Sequence, residues 1–382
     1  EKALSLLNER GRLGFILPNK FFATDYGQEL RRLLSTRQAL VRVLDFRDGQ
    51  VFVQATTYTC LLFLSGGQSE RFEYATAEPS PSILLAEPTY SVFDATDLSE
   101  KPWRFEAKET ATFLDRLQVN SVPLLDLPAQ MNRGSSTGND QVFILSTTDS
   151  PNVYLTHSGA LVELEPGILR IPIFATDFTR YHFRPNNRKV IVFPYKAVGI
   201  GKLSLIPENE LRSQSPLAYR YLSANRKTLE QRKQFKAWYS YSAPRSLDAH
   251  EKAQIVVPLL ADKGLYTRLP DASNEYCLMA GGGFSISLDE NTTVDPNYVL
   301  GLLNSKLLYW QLRGISNQFR GGWITCTKQY VGTLPIRTID PTNPTDTQRH
   351  DELVALVTRM LELHRRLAAE GNPQGKTVGQ RQ

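Results

Sequence analysis

Residues 128–145 read Pro-Ala-Gln-Met-Asn-Arg-Gly-Ser-Ser-Thr-Gly-Asn-Asp-Gln-Val-Phe-Ile-Leu, a polar turn punctuated by glycine that runs into an apolar, strand-like segment. Small residues let a backbone approach a ligand closely, and polar side chains can hydrogen-bond phosphates or base edges. An ordinary hydrophilic loop is the alternative interpretation. The candidate contact residues of this turn are Arg133, Ser135, Ser136, Thr137 and Asn139.

The composition indicates a globular chain with more than one domain. Its 382 residues are 41% apolar and 22% charged, values typical of folded proteins large enough for two or three cores. No run of about 18 apolar residues occurs, so we predict no membrane span and a cytoplasmic location. The three cysteines, Cys60, Cys277 and Cys326, are far apart and form no Cys-x-x-Cys pair. We therefore expect buried, reduced thiols and no metal site.

Positive charge is concentrated in one part of the chain. The net charge is +5, but residues 170–250 hold 15 Lys and Arg against five Asp and Glu. Tyr, Phe and Trp are interleaved with these charges, a combination that suits a polyanionic partner. A solvated basic face on a helical segment is the alternative. We favour solvation for most of the basic residues between 226 and 236.

The N-terminal part of the chain alternates between strand and helix patterns. Apolar or β-branched runs predict strands at 13–17, 40–44 and 56–64, and leucines on one face predict a helix at 25–36. Because the run at 13–17 is wholly apolar, we expect it to be buried on both faces, as in a parallel sheet. This order is typical of the last third of a doubly wound α/β sheet, which places ligands at the carboxyl ends of its strands.

A second domain is predicted to follow a linking helix. The predicted segments are the linking helix at 106–122, the second domain at 123–340, a C-terminal helix at 341–370 and a disordered tail at 371–382. Within the second domain, strands are expected at 141–146, 189–194, 255–258 and 277–280, and proline at the first turn predicts helices from 216 towards 238 and from 297 to 312. The C-terminal helix is expected to pack on its own domain rather than to form a coiled coil.

Two glycine-rich segments are not interpreted as phosphate loops. Residues 371–377, Gly-Asn-Pro-Gln-Gly-Lys-Thr, are one residue short of the nucleotide-binding pattern and precede no predicted helix. Residues 281–283 lie between two predicted strands, so we expect a bulge or a close approach of two backbones there. The five histidines are scattered and predict no catalytic arrangement.

Several short segments occur in the order found in one enzyme family. They are Gly11–Phe22, Val51–Thr57, Arg133–Asn139 followed by Phe143, Trp238–Tyr239, Lys252–Pro258, Leu302–Leu308, Gly321–Trp323 and Leu334–Ile336. In this order they resemble landmarks of the C-terminal half of TaqI-type adenine-specific DNA methyltransferases, which include the methylase and specificity part of type IIG restriction–modification enzymes. The resemblance covers roughly residues 1–370. One departure is Gly-Ser-Ser-Thr-Gly at 134–138, where the family more often has Gly-Ile-x-Thr-Gly.

The resemblance implies an α/β fold with a C-terminal remnant of a Rossmann-like methyltransferase sheet at 1–105, containing only the late strands, then a mixed α/β target-recognition domain and a C-terminal helix. It implies S-adenosylmethionine as cofactor, double-stranded DNA as partner and the adenine amine as methyl acceptor. The family binds its cofactor through a glycine-rich loop and holds the flipped adenine with an Asn/Asp-Pro-Pro-Tyr/Phe motif. This sequence has no Pro-Pro pair and no Gly-x-Gly signature near its start. We therefore expect both motifs before Glu1, and a truncated chain without catalytic residues that is inactive alone.

Candidate DNA contacts follow from the resemblance and from residue type. Phe52 matches the aromatic residue that stacks on the extruded adenine, and a core aromatic is the alternative. Lys20 follows the first predicted strand, where it could contact phosphate or be solvated. The next segment offers side chains that suit guanine edges, adenine edges or phosphates: Arg184, Asn186, Asn187, Arg188 and Lys189. A basic β-turn without DNA contacts is the alternative. At Arg320, Trp323 and Lys328 we expect a close backbone approach together with a phosphate contact. A glycine pair packed beside a buried Trp is the alternative.

A non-catalytic interaction module is the second hypothesis. A truncated sheet would expose an edge and an apolar face, which a partner subunit carrying the missing strands would cover. The chain would then be one half of a split enzyme. A nuclease is disfavoured because no Asp…Glu-x-Lys pattern occurs in a strand context.

Overall fold

The structure is a computed structural model that describes residues 1–52, 57–80, 88–105, 108–199, 201–270, 273–289, 292, 294–319 and 321–369. These residues form two compact units. The first contains residues 1–119 and 313–325, and the second contains residues 120–312 and those from 326 onward. Both units combine helices and strands, which confirms the predicted mixed α/β fold class.

The first unit is built on a five-stranded sheet. Its strands are β1 (Arg12–Pro18), β2 (Leu40–Asp45), β3 (Thr59–Ser65), β4 (Arg71–Thr76) and β5 (Ser91–Asp94), and its helices are α1 (Lys2–Ser5), α2 (Gln28–Thr36) and α3 (Lys108–Gln118). The strand order is β1-β3-β2-β4-β5. Because β3 is antiparallel to β1 and β2, while β2 and β4 are parallel, the strands β1, β2 and β4 run in one direction. Their carboxyl ends therefore lie at the same edge of the sheet.

One prediction for this sheet is wrong. The apolar run at 13–17 forms β1, but β1 pairs with β3 in antiparallel orientation and lies at an edge among the described strands. Phe15 and Ile16 are 46% and 44% exposed, so the strand is not buried on both faces. Phe15 and Ile16 point to opposite faces of the sheet, so neither face of β1 is fully covered by the described residues. The strand predicted at 40–44 and the helix predicted at 25–36 are confirmed as β2 and α2, the helix beginning with a short 3-10 turn.

The second unit contains several small sheets. Its strands up to residue 288 are β6 (Ser121–Pro123), β7 (Ala129–Arg133), β8 (Ile144–Thr147), β9 (Val153–Leu155), β10 (Leu161–Glu163), β11 (Leu169–Ile173), β12 (Phe178–Thr179), β13 (His182–Phe183), β14 (Lys189–Val192), β15 (Tyr195–Gly199), β16 (Lys202–Leu205), β17 (Ile255–Val257), β18 (Leu260–Ala261), β19 (Thr267–Arg268), β20 (Tyr276–Leu278) and β21 (Phe284–Leu288). A six-stranded sheet has the order β10-β9-β8-β14-β11-β20, and a four-stranded sheet has the order β19-β17-β21-β7. The pairs β12–β13 and β15–β16 are antiparallel hairpins.

Helices connect and flank these sheets. They are α4 (Asp140–Phe143), α5 (Glu208–Gln214), α6 (Pro216–Ala224), α7 (Arg226–Glu230), α8 (Leu247–Glu251), α9 (Pro296–Leu303) and α10 (Lys306–Ile315). The chain continues through the hairpin of β22 (Gln318–Phe319) and β23 (Trp323–Thr325), then α11 (Lys328–Val331), β24 (Pro335–Arg337) and the long helix α12 (Pro344–Ala369). A helix capable of crossing a membrane is not found among the described residues.

Two predicted helices are interrupted because asparagine side chains take up backbone groups. The helix expected from 216 towards 238 ends at residue 230 and is divided into α6 and α7 at Asn225, whose Nδ2 donates to a carbonyl one turn earlier. The helix expected from 297 to 312 is divided into α9 and α10. Between them the Asn304 side chain accepts from the Tyr266 N–H and donates to the Tyr266 carbonyl. A local hydrogen bond at Asn225 and tertiary hydrogen bonds at Asn304 therefore override the helical pattern.

The core of the second unit is rich in aromatic rings. Tyr241 packs edge to face against Phe143 and Tyr195, with ring centroids 5.2 Å apart in both pairs. Its hydroxyl donates to the Val192 carbonyl at 2.8 Å, and its N–H donates to the Tyr195 hydroxyl at 2.8 Å. Burial raises the pKa of both phenols, so they remain neutral donors and acceptors. These contacts fix β14 against the segment that contains Tyr241.

Two further predictions are confirmed. Gly283 has a φ of +112°, and a Cβ atom there would lie 2.1 Å from the Val257 carbonyl oxygen. Only glycine satisfies both conditions, so the triplet at 281–283 is a site of close backbone approach. The three cysteines are free and buried, and burial raises the pKa of each thiol.

Candidate nucleic-acid interface

A cavity of about 750 Å³ opens in the second unit. Three parts of the chain line it: residues 181–188, residues 267–270, and α12 through Leu361, Arg365 and Ala368. Four of the five side chains predicted at 184–189 to contact DNA lie in this lining. The fold therefore brings most of that predicted segment to one concave surface, the arrangement expected of a binding site.

The cavity is lined by positive charge. Its guanidinium groups belong to Arg184, Arg188, Arg268 and Arg365, and none of its described lining residues is acidic. A cleft lined by one sign of charge focuses the field and raises the local concentration of counter-ions. Arg268 and Arg365 could not be predicted as members of this lining, because each is distant from 184–188 along the chain.

The segment 184–189 is held in place by its own backbone. The Arg184 N–H donates to the Asp177 carbonyl at 2.7 Å, and the Lys189 N–H donates to the Asn186 carbonyl at 3.0 Å. Asn186 Oδ1 accepts from the Arg188 N–H at 3.1 Å. This hydrogen bond uses one of the two lone pairs of the oxygen, and base pairing by the exposed Asn186 side chain stays a prediction.

Three side chains of this segment remain available to a ligand. Arg184, Asn187 and Arg188 are exposed and make no side-chain hydrogen bond or ion pair with other described residues. Lys189 is also exposed, and its ammonium group lies 5.7 Å from the centroid of the Phe174 ring. The segment therefore combines a fixed backbone with free polar side chains.

The turn at 133–139 is an internal junction rather than an open loop. Ser135 and Thr137 are fully buried. The Ser135 hydroxyl donates to the Arg245 carbonyl at 3.2 Å, and the Thr137 hydroxyl donates to the Asp140 carboxylate. Both hydroxyls serve the fold, so the prediction that these two side chains contact DNA is corrected.

Asn139 caps a short helix. Its Oδ1 accepts from the backbone N–H three residues later at 3.2 Å, and Asp140–Phe143 forms α4. The strand predicted at 141–146 therefore begins only at β8. Of the candidate residues in the turn, Arg133 remains exposed and Ser136 is half-buried.

A buried arginine ties this turn to a distant part of the chain. Arg232 is 9% exposed, and its guanidinium donates at 2.6–2.8 Å to four main-chain carbonyl oxygens, those of Thr137, Leu229, Trp238 and Ser240. The Phe143 and Phe235 rings lie 5.4 and 5.3 Å from the guanidinium carbon. Burial lowers the pKa of Arg232. The charge pattern of the sequence placed Arg232 among solvated residues, whereas the structure gives it a role inside the fold.

A buried histidine holds the end of β7. His250 Nε2 donates to the Arg133 carbonyl at 3.1 Å, and Nδ1 accepts from the Ser285 hydroxyl at 2.7 Å. Burial lowers the pKa of His250 to about 4, so the ring is neutral near pH 7. No local pattern in the sequence pointed to His250, because its partners lie on two other elements, β7 and β21.

In the first unit, the candidate residues lie at the carboxyl edge of the sheet. Asp45 Oδ1 accepts from Asn19 Nδ2 at 2.8 Å and from the Arg47 N–H at 2.9 Å. Its Oδ2 accepts from the Tyr74 hydroxyl at 3.1 Å. The buried carboxylate thus joins the turn after β1 to the turn after β2. Lys20 follows Asn19 and is exposed.

The predicted aromatic contacts are accessible. Phe52 is 46% exposed and Trp323 is 42% exposed, which disfavours a core role for either ring. Lys328 is exposed at the start of α11, but it belongs to a different compact unit from Trp323. Arg320 lies outside the described residues. Within the described part of the chain, no group of three His, Cys, Asp or Glu side chains could hold a metal ion.

The sequence is similar to enzymes of restriction–modification systems. The model of the Eco57I restriction-modification methylase family matches residues 1–52. The "Type II restriction enzyme and methyltransferase RM.Eco57I" of Escherichia coli is 27% identical over 380 residues, which cover 92% of this chain and 37% of that protein. The "Type II methyltransferase M.BanIII" of Aneurinibacillus aneurinilyticus is 20% identical over 386 residues, which cover 86% of this chain and 61% of that protein.

The fold is also similar to a solved structure. The type IIL restriction–modification enzyme MmeI, solved in complex with DNA, matches with a TM-score of 0.56 at 11% identity, over 94% of this chain and 43% of that one. At this identity the likeness concerns the fold alone. The chain spans 37% and 61% of the two curated relatives. It is homologous to type II restriction–modification methyltransferases, as the resemblance in its sequence implied.

Replacing Arg232 by lysine is expected to lower the unfolding free energy of the second unit by about 2–4 kcal/mol. An ammonium group has three donors on a flexible stem and cannot serve four carbonyls arranged around a planar fork. Urea unfolding followed by circular dichroism measures the loss. Arg226→Lys is the matched control, because Arg226 is 51% exposed and should change stability by no more than about 0.5 kcal/mol. Equal losses in both variants would contradict the role of Arg232.

The stability of the second unit is expected to fall as the pH drops below the ordinary pKa of histidine. The unfolded chain takes up a proton near pH 6.5, whereas folded His250 does so only near pH 4. The stability contributed by the neutral ring is complete above pH 6.5, is lost progressively down to pH 4, and amounts to about 3 kcal/mol. Urea unfolding at several pH values across this window measures the change.

Two variants separate His250 from other groups that titrate in the same window. In His250→Gln, the unfolding free energy should fall by about 3 kcal/mol less than in the wild type between pH 6.5 and pH 4. His157→Gln, at an exposed position, should keep the wild-type profile. Parallel profiles for the wild type and His250→Gln would show that the neutral ring contributes nothing to the pH dependence.

Proposed function

We propose that this chain reads a DNA sequence for a methyltransferase of a restriction–modification system. The proposed ligand is double-stranded DNA, and the proposed reaction of the whole enzyme is S-adenosylmethionine-dependent methylation of the exocyclic amine of adenine. The observation that carries the proposal is the cavity lined by four arginines, with no acidic residue among its described lining. A duplex offers phosphates and acceptor-rich base edges, and guanidinium groups bind both.

The relatives support this proposal. The Escherichia coli relative is named a restriction enzyme and methyltransferase, and the solved structure with a similar fold was determined with DNA. Both proteins are more than twice as long as the part that this chain matches. Homology to such enzymes, together with a concave basic surface, favours DNA over a small anion as the ligand.

Separate roles are proposed for the available side chains. Arginine pairs with guanine and asparagine with adenine, each through two hydrogen bonds, so we assign base reading to Arg184, Asn187 and Arg188. Phe52 is proposed to stack on the flipped adenine, which must be held outside its duplex. Phosphate contacts, which give affinity without sequence information, are assigned to the exposed residues Lys20, Arg133, Lys189 and Lys328.

S-adenosylmethionine would supply the methyl group in the whole enzyme. The described edge of the first sheet does not fit this cofactor by itself. Its carboxylate, Asp45, is buried and already accepts three hydrogen bonds from the protein, which leaves it little capacity for the cofactor's hydroxyl or ammonium groups. We propose that the described residues bind DNA and do not transfer a methyl group on their own.

The full chain is expected to bind short duplexes in a strongly salt-dependent manner. The logarithm of the binding constant should fall linearly with the logarithm of salt concentration, with a slope of about −0.9 per neutralised phosphate. We expect the double variant Arg184→Gln/Arg188→Gln to leave this slope unchanged and to weaken the preference for the selected sequence, because the two proposed contacts are to bases. Loss of two phosphate contacts would instead reduce the slope by about two. Fluorescence anisotropy with duplexes enriched from a randomised pool measures both quantities.

A second double variant controls for the loss of charge. Arg212→Gln/Arg220→Gln removes two exposed arginines of α5 and α6 that lie outside the cavity lining. It should change the sequence preference less than Arg184→Gln/Arg188→Gln does, and the slope of the salt dependence no more than that variant does. The proposed function is contradicted if the folded wild-type chain binds no duplex at low salt, or if the two double variants behave alike.

A second candidate function is that of an interaction subunit of a split enzyme. The observation that favours it is the edge of β1, beyond which no described strand lies and along which Phe15 and Ile16 are nearly half exposed. Unpaired backbone groups beside apolar side chains allow another polypeptide to add a strand. The proposed occupant is a subunit that carries the strands missing from this sheet.

Self-association of the isolated chain tests this second candidate. An uncovered edge should produce oligomers in multi-angle light scattering, and Ile16→Lys should reduce them because a charge at an edge opposes strand addition. Phe63→Lys is the matched control, since Phe63 is 38% exposed on β3, whose backbone is paired on both sides. A monodisperse wild-type monomer that binds no hydrophobic dye would argue against an uncovered edge.

A further inference from the structure

The last two turns of α12 form one wall of the arginine-lined cavity. Leu361, Arg365 and Ala368 belong to its lining, and their spacing of four and three residues places them on one face of the helix. The helix therefore contributes apolar surface and one guanidinium group to the cavity. The sequence predicts α12 only as a helix packed on its own domain.

The first part of α12 is fixed by close packing against α9. A Cβ atom on Gly301 would lie 2.8 Å from a Val357 methyl group and 3.0 Å from a Leu353 methyl group, so the two helices approach closely there. The Tyr298 and His350 rings lie with centroids 4.8 Å apart. This packing sets the direction in which the rest of the helix continues.

The last part of α12 is joined to the segment that carries the proposed base readers. The His364 ring lies 6.2 Å from that of His182, with an angle of 25° between the planes, and 6.3 Å from that of Tyr181. Burial lowers the pKa of both histidines, so this contact involves neutral rings near pH 7. The positive charge around the cavity therefore comes from arginine rather than from histidine.

Arg365 is able to exchange its present partner for a phosphate. Its side chain is 77% exposed and forms a bidentate ion pair with Glu362, which is 50% exposed: Nε lies 2.9 Å from Oε2 and Nη2 lies 3.0 Å from Oε1. Because both groups face solvent, salt screens the pair and a phosphate can compete with the carboxylate for the same two donors. The next residue along the helix, Arg366, is also exposed but is not part of the cavity lining, because successive helical side chains point about 100° apart.

We propose that residues 361–368 of α12 form part of the duplex-binding surface and that Arg365 contacts a backbone phosphate of the bound DNA. This inference rests on the proposed function and names a further element of the same site. A phosphate role follows from the position of Arg365 on a packed helix at the margin of the cavity, because contacts from rigid elements to the backbone set the register in which bases are read. The C-terminal helix thereby contributes affinity as well as stability.

Two neighbouring substitutions in the full chain test the inference. Arg365→Gln should reduce the slope of the salt dependence by about one and weaken binding equally for all duplex sequences. Its effect should be about threefold larger at 50 mM than at 200 mM salt. Arg366→Gln removes the same charge from the same helical turn outside the lining, so its slope should stay close to that of the wild type.

A third variant separates the phosphate contact from the ion pair. Glu362→Gln keeps Arg365 but removes its carboxylate partner, so it should bind duplex DNA at least as tightly as the wild type. Weakening equal to that of Arg365→Gln would show that the ion pair matters instead, and would overturn the inference. Thermal melting of the three variants should match the wild type, because all three positions are exposed.

The outcomes distinguish this inference from the function on which it rests. A wild-type chain that binds no duplex contradicts the proposed function itself. A wild-type chain that binds with the expected salt dependence, while Arg365→Gln and Arg366→Gln give the same slope, contradicts only the role of α12.

Discussion

The buried guanidinium of Arg232 constrains the part of the second unit from which the candidate interface is built. A charge removed from water is tolerated only where its donors are satisfied, and here four main-chain carbonyls from three stretches of chain accept them. Two of these carbonyls flank Tyr239 and precede Tyr241, whose hydroxyl binds the last residue of β14. The strand that follows the turn at 184–189 is thus connected to Arg232 through a short series of buried hydrogen bonds.

Local patterns in the sequence predicted those elements that depend on local interactions. The apolar run at 40–44 and the leucine face at 25–36 form β2 and α2, and the order of such elements was sufficient for the α/β fold class. The predictions failed where a side chain binds a backbone group that the regular element would have used. Asn139 and Asn225 do so within their own segments, whereas Asn304 binds the backbone of the distant Tyr266. Periodicity alone carries no information about such bonds.

The candidate site could be predicted in its chemistry but not in its full membership. Arg184 and Arg188 lie in a segment whose residue types suit base edges, whereas Arg268 and Arg365 join them only when the chain is folded. The opposite error concerns Ser135. A serine in a glycine-rich turn has the same sequence signature whether it faces solvent or, as here, is enclosed by neighbouring strands. Burial of short polar side chains is decided by tertiary packing, which hydrophobic patterns report poorly.

The turn at 184–189 has a consequence for how proteins of this architecture diverge. Its conformation depends on main-chain hydrogen bonds and on the Asn186 side chain, whereas the side chains of Arg184, Asn187 and Arg188 make no hydrogen bond or ion pair within the described structure. Exchanges at exposed positions of this kind usually cost little folding free energy. Under the proposed role of these side chains in base reading, single replacements can therefore change the preferred base pairs while the scaffold persists.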